Sequence, residues 1–313
     1  MLIALPVLAY FLVARLFFLR EKKQFADALI KTHLVFFAIV AGSTELLSLF
    51  RAVEFLYVSV LWSLVVLVLL LRLIVDARNG LGTAFPLMNS KGIDGTPHAR
   101  TLRLIIGLIL TCTLATALLY PPNNYDSMIY HMTRVAHWIH NQSVSFYLTS
   151  YPPQNYQMPL AEFAILHFQL LSGSDVFANC VQWIAFCVAI SLAWALAAEL
   201  GGDRPSQFAS AIAAATLPMA ILQSSSTQND LTAASFILAF ALFMLRLRHE
   251  LHARNILFAA TALGLALLTK GTSYIYCAAV GICLAVPVLL RGKSDFTALK
   301  KAVESLFLVV LLA

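Results

Sequence analysis

The stretch VEFLYVSVLWSLVVLVLLLRLIV, residues 53–75, carries charge only near its two ends, at Glu54 and Arg72. Between them only Ser59 and Ser63 interrupt apolar and aromatic side chains. A helix crosses a hydrocarbon core with roughly 20 apolar residues. The run is long enough, and it is continuous rather than alternating, so it reads as a membrane helix and not as a barrel strand. Runs of the same kind lie at about 2–19, 32–50, 101–119, 175–199, 206–223, 231–248, 255–269 and 272–290, which with 53–75 makes nine helices. Composition agrees. Of 313 residues 60% are hydrophobic and 12% charged, and mean hydropathy is +0.83, against about 45–50% and 25% in a soluble domain. The expected fold is all-α, a polytopic transmembrane bundle of about nine to ten helices. A tenth run begins near residue 302 and reaches Ala313 after about 12 apolar residues. It is expected to lie in the interface or to continue in a longer chain.

The first run, MLIALPVLAYFLVARLFFLR, has no basic lead and no small-residue cleavage pattern, so it reads as a retained helix rather than a signal peptide. Cys112, Cys180, Cys187, Cys277 and Cys283 all sit inside apolar runs and read as small hydrophobes. Placing the amino terminus outside puts the segments around 20–31, 76–103, 200–205, 246–254 and 291–301 in the cytoplasm. Every Lys and Arg except Arg51, Arg134 and Lys270 then falls in those segments or in the helix ends beside them, as the positive-inside rule requires. Anionic inner-leaflet lipids account for the net charge of +6. Membrane lipids are therefore expected partners, and nucleic acid is not.

One long outer segment remains, about 120–174, rich in tyrosine, proline and histidine and suited to helices lying at the headgroup level. Pro121 and Pro122 end the preceding run, and Asp126 opens SMIYHMTRVAHWIHN, which has helical spacing. Asp126, Tyr130 and Arg134 are four apart and share one α-helical face, with His137 and Trp138 a turn further on. Asp126 is either a helix cap or an acid–base group. The same choice arises for Asp230 at the end of QSSSTQND, residues 223–230. Lys270, in LLTKGTSYIY, either snorkels to headgroups or holds a phosphate. Glu162 is a minor candidate at the outer surface, and Asp175 is expected to cap the helix after it. Zinc is not indicated, because His131 and His137 lie on different helical faces with no fourth ligand near. The sequon NQS at 141–143 faces outward.

Four stretches together resemble one family: NNYDSMIYHMTRVAHW, YQMPLAEFAILHFQLLSGSDVFANCVQW, TLPMAILQSSSTQNDLTAASF and GLALLTKGT, in that order over residues 101–290. They are similar to the polytopic glycosyltransferases of the C superfamily, specifically the bacterial relatives of protein O-mannosyltransferases and lipid A aminoarabinose transferases. The resemblance implies transfer of a hexosyl or pentosyl group, with inversion, from a polyprenyl-phosphate-linked sugar to an acceptor hydroxyl on a glycan, lipid or protein outside the cytoplasm, in the manner of a bacterial inner-membrane enzyme. It implies that Asp126 is the general base and that Lys270 lies near the carrier phosphate. Arg134 is a second phosphate ligand by charge and position. Tyr130, His137, Glu162 and Asp230 complete the candidate substrate-binding set.

Such a reaction needs no nucleotide and no obligatory metal, since cationic groups stabilise the leaving phosphate. A single displacement makes the paired carboxylates of a hydrolase unnecessary. The outer segment has no DxD sequence, so a divalent metal is compatible with the site but not indicated. Residues 1–100 read as an accessory three-helix module with a cytoplasmic linker, and 101–313 as the transferase-type module. The competing class is a transporter or flippase of lipid-linked sugars, which would show repeated halves with broken helices at the midplane. The sequence shows no such repeat. A non-catalytic membrane subunit is the remaining alternative.

Overall fold

The computed structural model describes residues 2–20, 24–79 and 99–292, with side chains as far as residue 284. All regular structure among them is helical. The chain opens with α1 (Ala4–Arg20), α2 (Phe25–Leu49), α3 (Phe55–Arg78) and α4 (Ala99–Leu119). Residues 120–174 follow with a π-turn (Ser127–His131), α5 (Met132–Asn141), α6 (Pro153–Tyr156) and α7 (Leu160–Ser172). Then come α8 (Cys180–Glu199), α9 (Arg204–Thr216), α10 (Pro218–Gln223), α11 (Asp230–Leu247), α12 (Ala253–Thr269) and α13 (Ser273–Gly292). Five helices are long and apolar enough to cross a bilayer: α2, α3, α4, α8 and α11. Among the described residues three further helices, α7, α12 and the start of α13, are apolar but shorter. The run after residue 302 lies outside the described residues, as does most of the linker between α3 and α4.

Two faces of this bundle have none of the described residues against them. Leu64, Val68 and Leu71 on α3 and Leu104 and Leu108 on α4 are each more than half exposed. Apolar surface of that extent is stable only against lipid.

Three expectations change. The run 206–223 is two helices, because Pro218 lacks the donor that would continue α9 and forces Leu217 into extended geometry (φ −61°, ψ 119°). Asp175 does not cap the next helix, which begins five residues later at Cys180. Residues 175–179 instead form a turn, with Ala178 N donating to the Asp175 carbonyl at 2.9 Å. Finally, α7 is a core helix rather than an interfacial one. Its thirteen residues are too few to span a bilayer, but Leu160, Phe163, Ile165 and Leu166 are buried to within 1%. It packs on α2, α3, α8 and α12, as expected of a helix apolar all round.

One apolar core joins the front helices to the rest. Phe37 of α2, Trp62 of α3, Phe163 of α7, Phe236 of α11 and Ala262 of α12 belong to it. His167 of α7 fixes the junction. Its Nδ1 accepts from Trp62 Nε1 at 3.1 Å, so its Nε2 donates to Thr44 Oγ1 at 3.0 Å. The boundary expected at residue 100 therefore does not separate two cores.

Charge is sorted by helix end. Arg20 and Arg72 bind Asp76 at 2.8 and 3.1 Å, and Arg246 binds Asp27 at 2.7 Å and Glu199 at 3.1 Å. These pairs tie together the ends of α1, α3, α2, α8 and α11 that lie opposite residues 120–174. At the other end Val53 N donates to Gln142 O at 3.1 Å and Ser48 Oγ meets Ser143 Oγ at 2.9 Å, docking α2 and α3 on α5.

Candidate active site

The site begins where α4 is stopped by Pro121 and Pro122. Asn124 Oδ1 accepts from Ser127 N at 2.8 Å, taking the capping role that Asp126 was a candidate for. The Asp126 carboxylate makes no capping bond and stays half-buried. Its neighbour is the Gln228 amide, with Nε2 at 3.5 Å from Oδ2.

The next turn is not α-helical. Met132 N bonds to Ser127 O, five residues back, and the Ile129 carbonyl is taken by Gln154 Nε2 at 2.8 Å. A turn widened by one residue rotates everything beyond it by roughly 100° about the axis. Arg134 therefore leaves the face it was expected to share with Asp126 and Tyr130, and turns into the protein.

There Arg134 is fully buried. Nε donates to Gln154 O at 2.7 Å, Nη2 to Gln157 O at 2.8 Å and Pro153 O at 3.2 Å, and Nη1 to Met158 O and Glu162 Oε1, both at 3.4 Å. A guanidinium has five N–H donors, and all are committed. The role expected of Arg134 as a phosphate ligand is corrected on that ground: its work here is to hold the 153–158 loop.

Glu162 is likewise at no surface. It is 0% exposed, and its Oε1 lies 2.6 Å from His131 Nδ1. Burial alone would raise its pKa, but the charges of Arg134 and His131 and the His131 hydrogen bond outweigh that and hold the carboxyl below its ordinary value. His137 faces away from Asp126, its ring stacked on Tyr147 at 4.2 Å. Among the described residues no group of three or more His, Cys, Asp and Glu converges as a metal site would.

A second segment meets the first. Thr227 Oγ1 donates to Ser127 Oγ at 2.6 Å, with both residues fully buried, which brings Gln228 onto Asp126. Asn229 Nδ2 donates to Thr269 O at 3.0 Å, fixing the start of α11 to the end of α12. Asp230 is then the first residue of α11. Its side chain does not cap but pairs with Lys270.

Tyr130 sits among these groups. Its phenol is pushed up first by burial and then by the negative charges of Asp126, Glu162 and Asp230, with Arg134 opposing. It is thus a neutral donor at any ordinary pH. Asp126, Tyr130, Asp230 and Lys270 accordingly gather at one end of the bundle, whereas Arg134, Glu162 and His137 lie behind or beside them. The residues overlooked in the sequence are Ser127, Asn124, Thr227, Gln228 and Asn229. Four of these lie within two positions of Asp126 or Asp230, and their density of polar side chains was the available signal.

The family model for dolichyl-phosphate-mannose-protein mannosyltransferase matches residues 157–313. The chain belongs to this family. No curated protein and no solved structure matches it. Membership in the mannosyltransferase family makes the chain an integral membrane glycosyltransferase, whose substrates are in general a lipid-linked sugar and an acceptor. The span matched to the mannosyltransferases includes Glu162, Asp230 and Lys270 and begins after Asp126.

Proposed function

We propose that the protein transfers a sugar from a polyprenyl-phosphate carrier to an acceptor hydroxyl on the extracytoplasmic face, with inversion, and that Asp126 is the general base. The observation that carries this reading is that Asp126 is free of the capping duty its position suggested, since Asn124 performs it, and that its neighbour Gln228 lies on the segment that ends in Asp230, the partner of Lys270. A half-exposed carboxylate can take the acceptor proton as the oxygen attacks the anomeric carbon. The bond from that carbon to the phosphate oxygen breaks in the same step, and the electron pair leaves with the phosphate. Lys270 is the cation placed to stabilise that leaving group. Tyr130, kept neutral, supplies a hydroxyl donor beside the base. The sorting of basic residues to the opposite end of the bundle supports an outer location for this chemistry.

The test is Asp126→Asn in purified protein supplied with a labelled polyprenyl-phosphate sugar. Transfer should fall by about 10²- to 10⁴-fold, the usual contribution of a general base, with thermal stability unchanged. A variant that keeps full transfer removes Asp126 from the role.

A further inference from the structure

The Lys270 ammonium is already bound, to the Asp230 carboxylate. Both side chains are partly open, 29% and 40% exposed, so a ligand reaches the pair without disturbing the core. Their main chains are pinned one residue away, because Asn229 Nδ2 holds Thr269 O. The first-turn amide of Thr232 in α11 donates to Gln182 Oε1 at 2.9 Å and the Asp230 carboxylate is bonded to Lys270, so releasing Asp230 leaves no backbone donor stranded. Beside the pair Gly271 has open space where a Cβ would point, which is room for a headgroup against Lys270. What can change here is therefore the partner of the ammonium and nothing in the scaffold.

Electrostatics give that change a direction. Asp126, Glu162 and Asp230 all act on the Tyr130 phenol, so an incoming phosphodiester meets a site with carboxylates on several sides. The cation it meets there, Lys270, is held by a competitor of like charge. An exposed lysine–carboxylate pair is worth only about 0.2–1 kcal/mol. A phosphate whose hydrocarbon tail is anchored in the bilayer is presented at high effective concentration and overcomes an interaction of that size.

Taken with the transferase reading, on which it depends, we propose that Asp230 gates Lys270: the donor phosphate displaces Asp230 from the ammonium, and the freed carboxylate then accepts from a sugar or acceptor hydroxyl beside Asp126 and Tyr130. Asp230 becomes available to a hydroxyl only once the donor is seated. Donor binding therefore precedes acceptor binding.

The experiment is a double-mutant cycle on binding, measured on the full chain in detergent with geranyl phosphate as probe and geraniol as the control for the tail. Asp230→Asn should tighten geranyl phosphate by about 1.5- to 5-fold, the pair's worth expressed as a binding ratio. Lys270→Gln should weaken it. In the Lys270→Gln background the Asp230→Asn change should have no effect, because nothing is left to compete for. Weaker or unchanged binding in Asp230→Asn overturns the gate. So does tightening that persists in the double variant, which is through-space repulsion without competition. Asp230→Ser serves the same comparison if the Asn variant is not recovered folded. Because binding is read without transfer, the gate and the assignment of Asp126 as base fail independently.

Discussion

Replacing Arg134 with lysine separates two roles that the same cation could play. As a phosphate ligand at an open site, Arg134 would tolerate lysine, which keeps the charge, and only the donor KM would rise modestly. As the tie seen here, it would not. Five N–H groups reach four carbonyls of the 153–158 loop and Glu162, and an ammonium has three donors on a different geometry. At least two carbonyls lose their partner inside the protein, and the buried Glu162 pair is stretched or broken. Stranded buried acceptors cost about 1–3 kcal/mol each, and breaking a buried ion pair outright costs about 3–5 kcal/mol. Some of this is recovered by relaxation, so a loss on the order of 2–4 kcal/mol is expected. In a chain of this size that lowers Tm by roughly 4–12 °C. The assay is thermal unfolding in detergent, with donor KM measured at a temperature where the variant is folded. An Arg134→Lys protein with wild-type Tm and a raised donor KM refutes the assignment and restores Arg134 to the phosphate.

Two further outcomes follow from the same geometry. Glu162 has its carboxyl held below the ordinary value of 4.5, so its contribution to stability is present above about pH 4.5 and is lost as pH falls through the lowered value. Unfolding followed from pH 7 to pH 3 should steepen below pH 4.5 in the wild type, and Glu162→Gln should be less stable at pH 7 with a shallower acid slope; parallel curves would contradict this. At the end of the bundle opposite the site, Gly201 in left-handed geometry (φ 86°) and Gly202, whose N donates to Ala197 O at 2.8 Å, close α8 in a Schellman arrangement. A Cβ on Gly202 would lie 2.7 Å from the Ala197 carbonyl oxygen, a main-chain atom that cannot step aside. Gly202→Ala should cost about 1–3 kcal/mol, read as a lower Tm with unchanged transfer per folded molecule.

The contrast between Asp126 and Arg134 shows what a sequence carries and where it stops. Membrane helices are legible because lipid leaves the backbone no other partner: the run at 53–75 becomes Phe55–Arg78 and that at 101–119 becomes Ala99–Leu119. Composition misled at α7: the tyrosines, prolines and histidines of 120–174 suggested the interface for the whole segment, whereas its AEFAILHF stretch fills a core slot made by α2, α3, α8 and α12. The inward turn of Arg134 was not legible, because it depends on the π-turn. That turn leaves the Ile129 carbonyl to be satisfied by Gln154, twenty-five residues on, and a rule of four-residue spacing has no knowledge of such a partner. Asp126 is the opposite case. Its ambiguity between cap and base had a local answer two residues upstream, since an asparagine at 124 stands at the proper distance from Ser127 N to cap the turn itself. Asn229 stands directly before Asp230 but spends its amide on Thr269 instead, and the first-turn amide of Thr232 donates to Gln182 Oε1 at 2.9 Å. Asp230 stands one position inside the helix, past its N-cap Asn229, and with Gln182 serving the first-turn amide its carboxylate is left for the Lys270 ammonium.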